Sequence, residues 1–302
     1  MSEVAHALTA SIIIPTRNRP RRLVDAVRSL FEQDMAAEAY EIIVVDDHGA
    51  PPLQRDDLLR AVECSGKAQS ERPELEVVLS SGRGVNAARN TGIEHARADL
   101  FVFVDDDVLA PTTWLRSITG AAARHPKAAC LGGPYDLAGP RPRRLCRRCA
   151  RGGFGGLEFL PEQGEGPIDE VWGANMTVRR SAIEQIGPFD GRLSGAGDET
   201  VWQRRLQAAG GRIVFVPSAQ LHHVRTADEM RPLALAKQRF RREATRVDSL
   251  RLEGTPIPSV MGSAMRCLGH GLRRGCVGGL IDAAGYLGLG WGRWTRRPPA
   301  DV

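Results

Sequence analysis

Short apolar runs alternate with helical patterns along the first third of the chain. Four mostly apolar runs predict strands at 11–14, 41–45, 75–79 and 100–104. Between them, apolar residues at helical spacing predict three helices, which cover 23–30, 53–62 and 85–96. Buried strands alternating with helices are typical of a parallel sheet that is covered on both faces.

The pattern changes further along the chain. Residues 137–166 are rich in Gly, Pro and Arg and predict a loop. Regular structure is expected again over 171–178, in helices from about Ser181 and over 198–209, and in a strand over 213–216. From Arg231 the pattern is helical and basic, and residues 260–294 are apolar, Gly-rich and bordered by arginines. We expect a basic, helical extension after the α/β part.

Length and charge narrow the class of protein. A chain of 302 residues with 42% hydrophobic residues can bury a core, which excludes wholesale disorder. The net charge of +5 comes from arginine, since only Lys67, Lys127 and Lys237 are lysines. An anionic partner is therefore expected.

The arginine-rich loop over 141–151 has three possible roles. It is a solvated loop, a contact for an anionic acceptor or lipid phosphate, or a nucleic-acid patch. Aromatic residues for base stacking are scarce there, which argues against nucleic acid.

The sequence carries only weak signals for a signal peptide, a membrane-spanning helix, disulfides or a zinc site. The first ten residues do not read as a signal peptide, and no run of about 18 apolar residues predicts a spanning helix. The six cysteines are scattered, so we expect a reducing, cytoplasmic setting. Cys146 and Cys149 form a C-x-x-C pair for which no second ligand pair is evident at zinc-site spacing. We therefore read them as a reduced pair in a loop.

Polar residues follow three of the four predicted strands. They are Thr16-Arg17-Asn18, Asp46-Asp47 and Asp105-Asp106-Asp107. In open α/β sheets, ligands bind beyond the carboxyl ends of the strands. Three adjacent carboxylates suit a hard divalent cation such as Mg²⁺ or Mn²⁺, although a solvated turn would also explain them.

Two later motifs carry candidate chemistry. Asp198-Glu199 begins a helix after a Gly-rich lead-in, so it is either a general base or a simple complement to the helix dipole. His222 and His223 follow a strand and either complete a metal site or lie on the surface.

The motifs together resemble family 2 glycosyltransferases of the GT-A fold. The resemblance covers about residues 10–225 and rests on segments that run in the family's order: Ser11–Arg19, Glu41–Asp47, Gly84–Gly92, Phe103–Asp107, Trp172–Asn175 with Arg179-Arg180, Gly187–Asp190, and Gly197–Glu199 with Arg204–Leu206. It implies an α/β, Rossmann-like, mostly parallel sheet flanked by helices, with a helical C-terminal extension.

The resemblance also implies roles for individual residues. Donor-binding residues would be Pro15, Thr16, Arg17, Asp46, Asp47, Arg89, Asp105 and Asp106. Asp107, with Asp105 and either His222 or His223, would hold a divalent cation, Mn²⁺ or Mg²⁺. Trp172, Gly173, Ala174 and Asn175 would shape the acceptor cleft. Asp198 or Glu199 would be the base, in the reverse of the family's usual Glu-Asp order.

The family implies an inverting transfer of a sugar from a nucleotide-diphosphate sugar to an acceptor hydroxyl. The acceptor would be a carbohydrate, a lipid-linked sugar or a small molecule. Two other functions stay open: a nucleotidyltransferase of related fold, and a catalytically silent nucleotide-sugar-binding protein. The former usually begins with a Gly-rich loop, whereas this chain has Pro15-Thr16-Arg17-Asn18.

The expected organisation is a catalytic domain followed by an extension. The catalytic domain spans 1–228, with a nucleotide-sugar half over 10–110 and an acceptor half over 111–228. Residues 229–302 form the basic extension. Its Trp291 and Trp294 suit a membrane interface, and a helical hairpin packed on the catalytic domain or on another subunit fits equally well.

Overall fold

A computed structural model describes residues 8–62, 71–147, 149, 158–193, 195, 197–257 and 259–296. The chain divides into two compact units. The first comprises Met1–Tyr135, Pro161–Gly191 and Trp202–His222, and the second comprises Asp136–Leu160, Arg192–Val201 and His223–Val302. Within the arginine-rich loop, Arg148 and Arg151 lie outside the described residues.

Eleven strands and nine helices are bounded as follows within the described ranges. The strands are β1 Ala10–Thr16, β2 Tyr40–Asp46, β3 Glu74–Leu79, β4 Leu100–Val104, β5 Val108–Leu109, β6 Ala128–Gly132, β7 Tyr135–Ala138, β8 Gly166–Pro167, β9 Asn175–Arg179, β10 Arg212–Phe215 and β11 Leu221–Val224. The helices are α1 Pro20–Phe31, α2 Arg55–Ala61, α3 Val85–His95, α4 Trp114–Arg124, α5 Arg180–Ile186, α6 Asp198–Ala208, α7 Pro232–Leu252, α8 Val260–Arg274 and α9 Val277–Thr295.

An eight-stranded, mostly parallel sheet forms the centre of the first unit. Its strand order is β3-β2-β1-β4-β9-β6-β10-β8. The pairs β1–β2, β1–β4, β2–β3 and β6–β10 are parallel, whereas β9 runs antiparallel to both β4 and β6. The predicted strands and helices of the first hundred residues are confirmed. Helix α4 and strand β6 were not predicted, although the buried Leu115, Ile118 and Ala122 of α4 lie at helical spacing.

Apolar residues of the strands and one face of each helix form the core of the first unit. Ile12, Ile13 and Ile14 on β1 are completely buried, because helices cover both faces of a parallel sheet. On α1, Leu23, Val27 and Leu30 share the buried face that their spacing predicts. Apolar transfer from water is the main driving force that holds these layers together.

Three helices dominate the second unit, in which α9 packs against both α7 and α8. The Gly-rich sequence of α9 permits this close approach. A Cβ atom on Gly288 would lie 2.1 Å from the Phe240 carbonyl oxygen, and one on Gly292 would lie 2.2 Å from that of Ala244. Residues 260–294 therefore form a helical hairpin. Among the described helices, none is both long enough and apolar enough to cross a bilayer.

Candidate active site

The carboxyl ends of the central strands meet at one edge of the first unit. The parallel register pairs Thr16 with Asp46 and Asp46 with Leu79, so β1, β2 and β3 end level with one another. Strand β4 pairs with the other side of β1 and leads into Asp105. The structure thus brings together the three polar segments that follow predicted strands in the sequence.

The two carboxylates after β2 have different surroundings. Asp46 accepts N–H groups from Gly49 at 2.7 Å and from Leu53 at 3.0 Å, so both of its oxygens fix the following turn. Asp47 accepts the N–H of Gly84 at 2.9 Å and faces the half-exposed Arg17 at 3.9 Å. Asp46 therefore shapes the loop after β2, whereas Asp47 lies beside Arg17, another predicted donor-binding residue.

Two of the three carboxylates after β4, Asp106 and Asp107, are held by residues at the end of β1 and the start of α1. Asp106 accepts the Thr16 hydroxyl at 2.7 Å and the Arg19 guanidinium at 3.0 Å. Asp107 accepts from Arg19 at 3.3 Å and from Arg22 at 3.1 Å. Burial raises the pKa of Asp106, and the Arg19 charge and the Thr16 hydroxyl oppose that rise.

Arg19 and Arg22 are the residues of this cluster that the sequence analysis did not assign. Their distance from Asp106 and Asp107 in sequence is more than 80 positions, so only the parallel pairing of β1 with β4 brings them close. The available signal was a run of arginines directly after a predicted donor-binding strand. Guanidinium groups at this edge compensate the like charges of three adjacent carboxylates.

Arg89 is a buried arginine on α3 with a defined orientation. It donates to the Asn86 side chain at 3.0 Å, and its guanidinium lies 5.7 Å from the centre of the Phe189 ring. A Cβ atom on Gly173 would lie 2.2 Å from its Nη2 atom. The structure therefore brings Gly173, from the predicted acceptor segment, against the predicted donor-binding Arg89.

Trp172 and Asn175, in the same segment as Gly173, differ in how far they are exposed to solvent. Trp172 is partly exposed and packs on Tyr135, with ring centres 5.0 Å apart. Asn175 is only 1% exposed. Its amide donates to the carbonyls of Pro134 and Ala219 at 3.0 and 2.7 Å, and its oxygen accepts the Trp114 indole N–H at 3.1 Å. All the polar atoms of the Asn175 side chain are thus used in fastening the core, and its part in shaping the acceptor cleft stays a prediction.

Asp198 and Glu199 belong to the second unit and begin α6. Asp198 is 4% exposed and accepts the Glu199 N–H at 2.9 Å, whereas Glu199 is only partly buried. Gly195, three positions before this helix, lies close to α7, because a Cβ atom on Gly195 would lie 2.3 Å from the Thr245 hydroxyl.

The two histidines lie on β11, where alternate side chains point to opposite faces. His223 is 6% exposed, and its Nε2 atom accepts the Arg225 N–H at 3.1 Å. His222 is more exposed. A metal could bind His223 only through Nδ1 while the Arg225 contact is kept.

Cys146 and Cys149 are free thiols, as predicted, and lie beside two residues that the sequence did not link to them. His270 and Cys276 provide two further ligand atoms beside this pair, although they lie more than 120 positions away in sequence. Spacing along the chain could not reveal this cluster, because helix packing in the second unit brings its two halves together.

Comparisons with known proteins give the family. The profile of Glycosyl transferase family 2 matches residues 11–187, which is more than half of the chain. The chain therefore belongs to glycosyltransferase family 2. The fold is the GT-A fold, shared with a mannosyltransferase from Pyrobaculum calidifontis solved in complex with GDP-Man and Mn²⁺. That structure has a TM-score of 0.56 and 17% identity, and the match covers 94% of this chain and 73% of that one.

Two sequence relatives illustrate the range of the family. The pre-mycofactocin glycosyltransferase of Mycobacterium tuberculosis is 30% identical over 70% of this chain, which spans only 42% of the length of that relative. The succinoglycan biosynthesis protein ExoM of Rhizobium meliloti is 28% identical, with 78% of this chain and 72% of the relative covered.

Proposed function

We propose that this protein transfers a sugar from a nucleotide-diphosphate sugar to an acceptor hydroxyl, with inversion at the anomeric carbon. The observation that carries the proposal is the cluster of Thr16, Asp47 and Asp105–Asp107 at the carboxyl edge of the parallel sheet. Open α/β sheets bind their ligands at this edge. The complex of the Pyrobaculum mannosyltransferase with GDP-Man and Mn²⁺ supports a nucleotide-sugar donor for this chain as well.

The donor-binding residues have distinct tasks in this proposal. Asp47 accepts hydrogen bonds from the base or ribose, and Arg17 and Arg89 bring positive charge to the diphosphate. Thr16, directly after Pro15, holds Asp106 through its hydroxyl and so fixes the loop that follows β4. Arg19 and Arg22 offset the carboxylate charge before the donor binds.

The carboxylates after β4 suit a divalent cation. Asp106 accepts from Thr16 and Arg19, and Asp107 accepts from Arg19 and Arg22 through Oδ2. The resemblance to the family assigns Asp105 and Asp107 as the oxygen ligands, in keeping with the hard donors that Mg²⁺ and Mn²⁺ prefer. When bound, such a cation supplies Lewis-acid stabilisation of the negative charge on the departing diphosphate. His222 or His223 is the further ligand in this proposal.

Glu199 is the base in this proposal, and Asp198 is a positioning residue. Asp198 is buried and accepts the N–H of Glu199, so it holds the first turn of α6. The more exposed Glu199 carboxylate takes the proton of the acceptor hydroxyl as that oxygen attacks the anomeric carbon. A single base opposite the leaving group gives one displacement and therefore inversion. Trp172, Gly173 and Ala174 form the wall against which the acceptor binds.

We also propose that the C-terminal hairpin contacts an anionic membrane surface, where a lipid-linked acceptor would be found. Trp291 and Trp294 are 59% and 92% exposed, and Met261, Met265 and Leu272 are also exposed. Arginines lie beside these apolar side chains, at Arg273, Arg274 and Arg293. Exposed Trp and Arg side chains together favour an interfacial position.

The proposed transfer is tested with a panel of UDP-, GDP- and dTDP-sugars in the presence of Mn²⁺, by following donor consumption and product. The wild type should bind one class of donor and release the nucleoside diphosphate. Glu199→Gln should lower turnover by about 100-fold or more while nucleotide binding persists. Asp107→Asn should lower both turnover and nucleotide binding.

Asp99→Asn is the matched control, because Asp99 precedes β4 and its side chain is 92% exposed. It should keep wild-type turnover. Release of pyrophosphate would indicate nucleotidyl transfer instead, and binding of a donor with no turnover for any acceptor would indicate a silent binding protein. Unchanged turnover in both Asp107→Asn and Glu199→Gln would contradict the site assignment.

A further inference from the structure

Four metal-ligating side chains that the proposed function does not use converge in the second unit. Cys146 and Cys149 come from the segment after β7. His270 lies near the end of α8, and Cys276 directly precedes α9. Their ligand atoms all lie within 4.8 Å of one another, and Cys276 is almost completely buried.

The two distances from the His270 ring to cysteine sulfurs are close to those in a tetrahedral zinc site. The Nε2 atom of His270 is 3.3 Å from the Cys146 sulfur and 3.5 Å from the Cys149 sulfur. With Zn–S bonds of about 2.3 Å and Zn–N bonds of about 2.0 Å, tetrahedral geometry places neighbouring ligand atoms roughly 3.5–3.8 Å apart. Three sulfurs and one imidazole nitrogen also form a complete ligand set of the kind that closes a structural zinc site.

Two glycines at the start of α9 lie in close contact with ligand side chains of the cluster. A Cβ atom on Gly278 would lie 2.9 Å from the Cys149 sulfur, and one on Gly279 would lie 2.9 Å from the His270 ring. The N–H of Cys146 points at the Cys276 sulfur at 3.3 Å. Hydrogen bonds of this kind orient and stabilise metal-bound thiolates. The glycines and the amide are thus matched to the four ligands.

We propose that Cys146, Cys149, His270 and Cys276 bind one structural zinc ion. The ion fastens the arginine-rich segment after β7 to the turn between α8 and α9. A disulfide would join only two of the three thiols and would give no reason for the imidazole beside them. The soft sulfur ligands also separate this site from the oxygen ligands at Asp105 and Asp107, which select a different kind of cation.

Metal content of the purified full chain tests the proposal directly. Protein purified without chelator should contain about one zinc ion per chain by elemental analysis and by native mass spectrometry. Cys149→Ser and His270→Gln should each reduce the zinc content at least about fivefold, since such sites need all their ligands. Cys267→Ser is the matched control, because Cys267 lies on α8 outside the four ligands, and it should keep the full content.

Cobalt substitution gives a second readout. Co²⁺ bound in the wild type should show the thiolate charge-transfer and tetrahedral d–d absorption bands, with a weaker charge-transfer band in Cys149→Ser. If the variants do not fold, stepwise modification of wild-type thiols by an organomercurial should release zinc in proportion to the thiols modified.

Four outcomes would overturn the proposal. The first is the absence of tightly bound zinc both after purification and after reconstitution with Zn²⁺. The second is full zinc content in the two ligand variants. The third is a different state of the cluster in the purified protein, either a disulfide between two of its cysteines or an iron–sulfur chromophore. Excess Mn²⁺ should leave the zinc in place, whereas displacement by Mn²⁺ would also contradict the assignment.

Discussion

At the scale of single residues, Gly173 decides where the Arg89 guanidinium lies. Gly173→Ala would place a methyl group against Arg89 Nη2, while the other terminal nitrogen, Nη1, donates to the Asn86 side chain. Arg89 must then leave its place at the proposed diphosphate site. Loss of a charged hydrogen bond of about 1.5–3 kcal/mol should weaken nucleotide binding by about 10-fold or more in a calorimetric titration.

Gly191→Ala is the control for this substitution, because a Cβ atom there would meet nothing within 4 Å. It should bind nucleotide as the wild type does. If Gly173→Ala binds nucleotide with unchanged affinity while its thermal stability is also unchanged, Arg89 has no part in donor binding.

Substitution of Asn175 tests whether this residue stabilises the core or contributes to acceptor binding. Asn175→Ala removes the partner of two buried carbonyls and one buried indole N–H. The Pro134 carbonyl keeps the Leu221 N–H at 3.0 Å, so two groups lose their partner. Because unsatisfied buried polar groups cost about 1–3 kcal/mol each, we expect the free energy of unfolding in urea to fall by about 2–6 kcal/mol. An unchanged unfolding free energy, with only the acceptor KM raised, would return Asn175 to the acceptor cleft.

Residue types and their order identified the candidate residues. Asp105–Asp107 and Asp47 were singled out because they follow buried strands, and Arg89 was singled out by the resemblance to the family. The use of Asp46 in a turn and of Asn175 in the core could not be predicted, since it depends on which backbone groups surround each side chain after folding.

At the scale of elements, Glu165 ties the end of α4 to the segment that leads into β8. Its carboxylate accepts from Arg124 at 2.7 Å and faces the His125 ring nitrogen at 2.9 Å. The hydrogen bonds from Arg124 lower the pKa of Glu165 below its ordinary value of 4.5, against a small opposing effect of burial. The pair is well placed to stabilise this edge of the sheet while its carboxylate is charged.

Glu165→Gln should therefore lower stability in a pH-dependent way. A carboxylate with a lowered pKa in the folded state stabilises fully above its unfolded pKa, and this effect is lost as pH falls through the folded pKa. Because the pair is near the surface, we expect a difference of about 0.2–1 kcal/mol at pH 7, measured by urea unfolding. The difference should vanish in acid. Glu162→Gln, at an exposed neighbouring position, should show no such pH-dependent difference.

Periodicity predicted whether a segment is a helix or a strand where one face of the segment, or the whole segment, is buried. The strands β1 to β4 and helices α1 and α3 were predicted for this reason. The hairpin of α8 and α9 remained one of two alternatives, because a Gly-rich apolar segment suits both a lipid surface and close helix packing. The contact of Gly288 with the Phe240 carbonyl is a tertiary feature that periodicity does not encode.

At the scale of the whole molecule, the net charge of +5 is spread unevenly. Some arginines of the second unit are paired within it, such as Arg141 with Glu158 at 3.0 Å and Arg239 with Glu243 at 3.0 Å. The exposed Arg273, Arg274 and Arg293 lie on the hairpin beside large exposed apolar side chains. Charge and apolar surface together define the proposed membrane-facing region.

Flotation with liposomes tests this region. The wild type should float with anionic vesicles at low salt, and binding should fall as salt screens the arginines. The double substitution of Trp291 and Trp294 by Ala should reduce binding by about tenfold, because it removes buried aromatic area from the interface. Leu160→Ala, at another half-exposed apolar position, is the control. No flotation of the wild type at low salt would contradict the membrane contact.

The sequence by itself determined the parallel α/β core, the family and the order of its motifs. These features depend on local patterns, namely strand-length apolar runs and the polar residues that end them. Tertiary structure alone decided the pairing of Arg19 and Arg22 with Asp106 and Asp107, the burial of Asn175, and the meeting of Cys146 and Cys149 with His270 and Cys276. Each of these joins residues that are tens to more than a hundred positions apart, and only the register of the strands and the packing of the helices bring them within bonding distance.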